Sequence, residues 1–395
     1  MKTIQEFVAE FAPHAVEIRH EIHANPEHGL EEYKTTELIK KELADYGIEI
    51  QELPDLKTGC TAVIYGGQPG KTLGLREDID ALVMKEITGL PFASTNGCAH
   101  ACGHDMHTSI LLLTARVLQQ IRGQLKGNVR LFFQPSEEEN GGARFALKAG
   151  MADVEPKAEA AIGLHCDPGY EVGTIAVRAG ATDASEDDMV IEISGRAGHA
   201  AHPEQFIDPI ACAAYLITQL QTTISRENNP LYPAVLTFGA INGGTVMNAV
   251  PDSVKILGTL RCTNEESREL LVNAIRRITK DCCDAMRCTA KVHLNTDEGV
   301  RALINDPDLA GKITAAAGKI LGKDKVKNVP LPSMGSEDFS EFGRYFPVAQ
   351  FRLGTANKQD ARTRIGLHNP SNIFDENAIA VGASVMAQFV VDYLK

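Results

Sequence analysis

Four short stretches carry side chains of the kind that bind metal ions and move protons. The densest is His100-Ala101-Cys102-Gly103-His104-Asp105-Met106-His107, with three histidines, a cysteine and an aspartate in eight residues. Imidazole, thiolate and carboxylate are the side chains that hold transition metals. Cys102 and His104, two apart with Gly103 easing the turn, can point at one ion. The second stretch is Gln134-Pro135-Ser136-Glu137-Glu138-Glu139, directly after the apolar run Val129–Phe133. Of two adjacent carboxylates there, one can bind metal while the other moves protons. Gly163-Leu164-His165-Cys166 and Gly366-Leu367-His368-Asn369-Pro370 complete the set. Each stretch has an ordinary reading too: a helix-entry loop, an acid-rich helix N-terminus favoured by the macrodipole, and two structural histidines. What favours the metal reading is convergence, with three of the four at or near expected strand ends.

Together they offer Cys102, His104, Glu138, His165 and His368 as ligands. A catalytic zinc takes about three protein ligands plus a water. Five therefore suit two divalent ions about 3.5–4 Å apart, sharing a bridging group. Glu137, beside a ligand and not itself used as one, is the natural general base. Zn²⁺ or Mn²⁺ is the first expectation and Co²⁺ or Ni²⁺ the next, since thiolate and imidazole suit the later metals and carboxylate also admits Mn²⁺.

The elements that must position these groups alternate along the first third of the chain. Amphipathic helices are expected from about Ile4 to His23 and from Glu31 to Tyr46. Short apolar runs at Thr61–Tyr65, Thr72–Leu75, Val129–Phe133 and Ala160–Leu164 read as strands, and Met106–Ile121 as a long helix. Continuous apolar strands imply a mostly parallel sheet with helices on both faces, an α/β layer. In such sheets ligands bind beyond the carboxyl ends of the strands. The middle changes rhythm. Strand, helix, two strands, helix and strand follow at Met189–Ser194, Asp208–Ser225, Ala234–Ile241, Ser253–Arg261, Glu265–Met286 and Thr289–Leu294. That βαββαβ order is ferredoxin-like and reads as an insertion. The expected division is residues 1–183 and 297–395 for a catalytic domain, interrupted by a lid and dimerisation domain at 184–296. Beyond it, Asp306–Leu321, Val348–Leu353 and Glu376–Leu394 resume the alternation.

Size and composition bound the function. At 395 residues the chain exceeds the roughly 250–300 residues at which single cores stop growing, so two domains are expected. A formal charge of −13 opposes binding to duplex nucleic acid, which calls for a basic face. With 44% hydrophobic and 23% charged residues, disorder, collagen and coiled coil are excluded as the main state. No window approaches the roughly 18 apolar residues of a membrane span, and the N-terminal segment lacks a signal peptide's apolar run. Nine cysteines, an odd number in no small-scaffold framework, point to free thiols or metal ligands and to a cytoplasmic protein. Cys282, Cys283 and Cys288 lie in a helical context without a nearby histidine and read as ordinary thiols.

At these residues the sequence resembles the M20 family of co-catalytic metallopeptidases, in its amidohydrolase branch of hippurate, indole-acetyl-amino-acid and N-acyl-amino-acid hydrolases. The resemblance spans nearly the whole chain. It runs from Arg19–Glu32, Leu75–Leu82, His100–His107, Gln134–Glu138 and Gly163–His165 through Gly195–Pro209, Asn242–Asp252, Gly335–Phe339 and Gly366–Pro370. Val83 departs from it, standing where the branch has proline. The resemblance implies that Cys102 bridges two ions bound by the five ligands above. It implies that Glu137 activates the attacking water and passes the proton to the leaving amine. His199 matches an oxyanion-stabilising histidine that often completes a site across a dimer, Asn248 a lid asparagine near substrate, and Asp78 a carboxylate that orients a ligand. His202, His100 and His107 are expected outside the ligand set.

The expected activity is hydrolysis of a small-molecule N-acyl amino acid (acetyl or aryl-acyl) by a homodimer or higher homo-oligomer joined through its lid domain. Arg261 is a further candidate to grip the substrate carboxylate, its alternative being a strand-end surface charge. A dipeptide-cleaving exopeptidase is the alternative enzyme. A non-catalytic relative would require a lost base or ligand, and none is missing.

Overall fold

The computed structural model describes residues 2–139, 141–296 and 299–395. The expected boundary at 297 falls on residues outside that set. The chain forms two compact units: Met1–Gly180 with Ile304–Pro330 and Asp338–Lys395, and Ala181–Leu303 with Leu331–Glu337. Residues 331–337, expected in the larger domain, group instead with the smaller unit. The Ser333 amide bonds the Thr182 carbonyl and the Ala184 amide the Gly335 carbonyl, each at 2.8 Å. Such pairing across 150 residues leaves no local sequence pattern.

The larger unit is built on an eight-stranded mixed sheet. Its order is Glu49–Gln51, Cys60–Tyr65, Lys126–Gln134, Gln68–Asp78, Ala160–Glu171, Val348–Ala356, Ile175–Val177 and Val326–Asn328. The third to sixth of these run parallel to one another. Alternation divides the two faces. Leu73, Leu75, Val129, Leu131, Phe133, Ile162, Leu164, Phe351 and Leu353 belong to one apolar core. The long helices Ile4–Ala24, Tyr33–Asp45, His104–Ile121, Pro307–Leu321 and Asn377–Tyr393 contribute to that same core. Asp306 caps the fourth of them, with Pro307 at its first turn.

The opposite face is thinner and more polar. Short helical segments Gly142–Lys148 and Asp338–Arg344 pack on it, with Phe132 and Phe342 rings 5.3 Å apart. Among them lies Arg76, wholly buried. It donates to Gln134 Oε1 at 2.8 Å, Asp78 Oδ2 at 3.0 Å and Asp338 Oδ1 at 2.9 Å. A buried guanidinium is tolerable only when paired and hydrogen-bonded in this way. Asp338 also accepts the Ala143 amide at 2.8 Å, so one carboxylate joins three segments of this face.

The smaller unit has a four-stranded antiparallel sheet ordered Ala234–Asn242, Ser253–Cys262, Asp187–Ser194 and Thr289–Leu294. Helices Pro209–Thr222 and Glu265–Ala285 complete a βαββαβ chain order. Cys212, Cys282, Cys283 and Cys288 are buried in its core, as ordinary thiols would be. Among the described residues no helix is long and apolar enough to cross a membrane.

Candidate metal centre and catalytic site

The site groups of the larger unit gather at the carboxyl ends of its parallel strands. Gln68–Asp78 leads to Asp78 and Asp80, Lys126–Gln134 leads to Glu137 and Glu138, and Ala160–Glu171 carries His165. The long helix starts two residues earlier than its apolar pattern suggested, at His104. Gly103 ahead of it has φ 99°, in the left-handed region. A Cβ there would lie 3.1 Å from that of Cys166 and 3.2 Å from the Phe374 ring, so glycine serves both the turn and the close approach.

All five expected ligands come together. Ligand atoms of Cys102, His104 and His165 lie within 4.8 Å of one another, as do those of Cys102, Glu138 and His368. Cys102 is common to both groups, and its Sγ is 3.5 Å from His165 Nε2. A third group joins Glu137 to His104 and Glu138 within the same limit.

The rings are aimed by their second nitrogens. His104 Nδ1 is 3.0 Å from Asp80 Oδ1, and His165 Nδ1 is 2.8 Å from the Cys166 carbonyl. Donating through Nδ1 leaves the Nε2 lone pair of each ring for an ion. His104 Nε2 and Glu138 Oε1 are buried 3.7 Å apart and have no hydrogen-bond partner among the described residues. Unpaired buried polar atoms are costly. Two of them converging beside a thiol therefore fit a pair of cations. His368, with φ 58°, puts Nε2 3.2 Å from Glu138 Oε2.

His107 also falls within reach of Asp78 and His104, yet it has no lone pair to offer. Its Nδ1 is 2.6 Å from Asp78 Oδ1 and its Nε2 accepts the Cys166 amide at 2.9 Å. Asp78 therefore orients His107 and lies 3.6 Å from His104 Nε2. The carboxylate that orients His104 is Asp80, which sequence reasoning passed over. The signal was present in LREDIDAL, where Asp78 and Asp80 share the parity of Arg76.

Electrostatics follow from burial and crowding. Burial and then Glu138 push the Cys102 thiol well up, so a cation binding there would release a proton. Burial, His107 and Arg352 hold His165 well below the usual histidine range, which suits a neutral ligand. Burial opposes a charge on His104, but Asp78 and Cys102 outweigh it and raise this ring. His100 is buried with neither ring nitrogen bonded among the described residues, and burial lowers it to about 4. It is neutral and outside the donor groups.

In the smaller unit, His199 pairs with Ala249 in a two-stranded ribbon, and the Ala200 amide bonds the carbonyl of Asn248 at 3.1 Å. The Ala201 amide donates to His199 Nδ1 at 3.1 Å, so the neutral ring carries its proton on Nε2. Arg261 is tied by Nη2 to Glu186 Oε1 at 2.7 Å, a partner 75 residues away that its strand-end position did not reveal.

Known proteins resemble this chain along most of its length. The model of peptidase family M20/M25/M40 matches residues 74–392. The N-acetyl-L-cysteine deacetylase of Bacillus subtilis is 40% identical, over 92% of this chain and 84% of its own. The hippurate hydrolase of Campylobacter jejuni is 35% identical, over 96% of each. Among solved structures, the YXEP protein of Bacillus subtilis, described as a dinuclear metal-binding peptidase of family M20, matches with a TM-score of 0.84. It is 32% identical, over 98% of this chain and 99% of that one.

Proposed function

This chain belongs to peptidase family M20/M25/M40, and from that premise we propose that it hydrolyses the amide bond of N-acyl amino acids to a carboxylate and a free amino acid. The observation that carries the reading is the pair of donor groups sharing Cys102, with Glu137 beside His104 and Glu138. The deacetylase and hippurate hydrolase relatives support the substrate class.

Cys102, His104 and His165 would hold one divalent ion and Cys102, Glu138 and His368 the other. Zn²⁺ or Mn²⁺ is proposed first, Co²⁺ or Ni²⁺ next. Such an ion pair, when bound, lowers the pKa of a water and polarises the amide carbonyl. Glu137 accepts a proton as water adds to the carbonyl carbon. It returns that proton to the nitrogen as the C–N bond breaks, and so ends the cycle as it began. Asp80 and the Cys166 carbonyl keep His104 and His165 in register throughout. From the smaller unit, His199 is assigned to the oxyanion through its Nε2–H and Asn248 to the substrate. Arg261 is the proposed carboxylate anchor, with Nη2 already bonded to Glu186 and Nη1 buried without a hydrogen-bond partner among the described residues.

The smaller unit is read as a lid that joins two copies. Exposed Leu231, Tyr232, Val235 and Ile241, on or beside the edge strand Ala234–Asn242, support the homodimer. Nine free cysteines suit a reducing cytoplasm. The test of function is a panel of acetyl-, benzoyl- and aminoacyl-amino acids against apo-protein reloaded with each metal. Turnover of the first two classes is expected; turnover of none overturns the reading. The peptidase description of the structural neighbour favours an exopeptidase as the second reading, and preference for aminoacyl substrates would select it. Mixing His199→Ala with Glu137→Ala chains assigns His199. Recovered activity places it in a site completed by the second copy, and none despite proven mixing keeps it within one chain.

A further inference from the structure

Glu32 is fully buried, and the reaction above makes no use of it. It stands at the N-cap of helix Tyr33–Asp45, where an acidic side chain ordinarily bonds the first amides of its own helix. It makes no such bond. Instead its Oε1 accepts the backbone amide of Ser136, 104 residues away, at 2.7 Å.

Ser136 needs that support. Its φ of 56° is left-handed, a conformation that costs a residue with a Cβ about 1 kcal/mol or more and persists where neighbours enforce it. The neighbours are close. A Cβ on Gly29 would sit 2.3 Å from Ser136 Oγ and 2.9 Å from its Cβ. Gly142 donates its amide to the Ser136 carbonyl at 3.1 Å. Two residues on, the Glu138 amide donates to Asp80 Oδ2 at 3.0 Å. Glu137 thus lies between two amides, each held by a buried carboxylate.

We propose that Glu32 is a positioning residue for the general base, fixing through the Ser136 amide the left-handed turn that aims Glu137 and Glu138. The proposal rests on the assignment of Glu137 as base. Burial, and then the charge of Asp80, push the Glu32 carboxyl up to about 7. Its Oε2 has no hydrogen-bond partner among the described residues. What the turn requires is therefore an acceptor at Oε1, and a neutral side chain of the same shape supplies one.

The experiment compares Glu32→Gln, Glu32→Leu and Glu137→Ala in the full-length, metal-reloaded protein. Readouts are kcat and KM on an N-acyl amino acid, metals per chain, and amide hydrogen exchange of the peptide spanning 134–139. Glu32→Gln keeps the acceptor and is expected within about threefold of the parent in kcat, with exchange unchanged. Glu32→Leu is expected to lower kcat about 10–100-fold, the range for losing a hydrogen bond to a charged or buried group. KM and metal content should stay near the parent's while exchange at 134–139 rises. Should Glu32→Leu fail to fold, Gly29→Ala disturbs the same turn and is expected to show the same kcat loss. Parent-like kcat in Glu32→Leu, or a Glu32→Gln as impaired as Glu32→Leu, overturns the proposal. A fully active Glu137→Ala would instead overturn the assignment of the base.

Discussion

The two donor groups that meet at Cys102 are built to different standards of rigidity. On one side Cys102, His104 and His165 are each no more than 7% exposed, and both rings are fixed from behind by Asp80 and the Cys166 carbonyl. On the other side His368 sits on a loop with 53% of its side chain exposed, its ring meeting Glu138 and its backbone amide the Ala101 carbonyl. The contrast separates two tasks within one centre. Outer partners that orient a ligand raise affinity and fix geometry, whereas an exposed ligand leaves room for a substrate to enter. On the proposed reading the buried group is the anchor, and His368 marks the side open to substrate.

Glu137→Gln gives the largest expected effect. It removes the base that serves both groups, so kcat should fall about 10²–10⁴-fold while elemental analysis still finds two metals per chain. Loss of metal in that variant would blur the line between base and ligand. Cys102→Ala comes next because it belongs to both groups. Metal content should drop on both sides, and a chain that keeps both ions at parental affinity would rule out the bridge. His165→Ala against His368→Ala tests the contrast directly. The first should weaken the tighter ion in calorimetric titration, the second only the weaker one, and the reverse order would break the comparison. Asp80→Asn changes no ligand, yet it should reduce affinity on the buried side about 10–100-fold. The smallest effect is expected in metal-free protein. There His368→Ala removes a half-exposed pair with Glu138, worth about 0–1 kcal/mol, and should shift Tm by less than about 4 °C in a calorimetric scan.

The larger elements were legible because their physics is local. Continuous apolar runs gave the parallel strands, and helical periodicity gave all five long helices of the larger unit. The three-residue strands Glu49–Gln51, Ile175–Val177 and Val326–Asn328 were not visible, since so short a run has no period to detect. The donor set was legible because metal-binding side chains collect in four short stretches, three of them at or near expected strand ends. What escaped was the layer behind it. Asp80 lies among three acids in LREDIDAL, and only the fold tells which one meets His104. Glu32 fell inside the expected helix Glu31–Tyr46, and its partner Ser136 is 104 residues away. Arg261 looked available for substrate because Glu186 is distant in sequence. Partners such as these are chosen by tertiary approach, and no spacing rule announces them.

The interrupted order of the larger unit has a consequence for how the protein is made. Strand Val348–Ala356 lies inside the sheet, between Ala160–Glu171 and Ile175–Val177, and His368 follows it. Residues 181–303 can close their own core while the earlier strands still lack this neighbour. At about 5–20 residues per second the ribosome needs on the order of ten seconds to deliver the remainder. Through that interval the nascent sheet has an open apolar margin that invites chaperones. The proposed donor set meanwhile lacks His368, its last member in chain order, so only the group of Cys102, His104 and His165 could take an ion before the C-terminal segment is made.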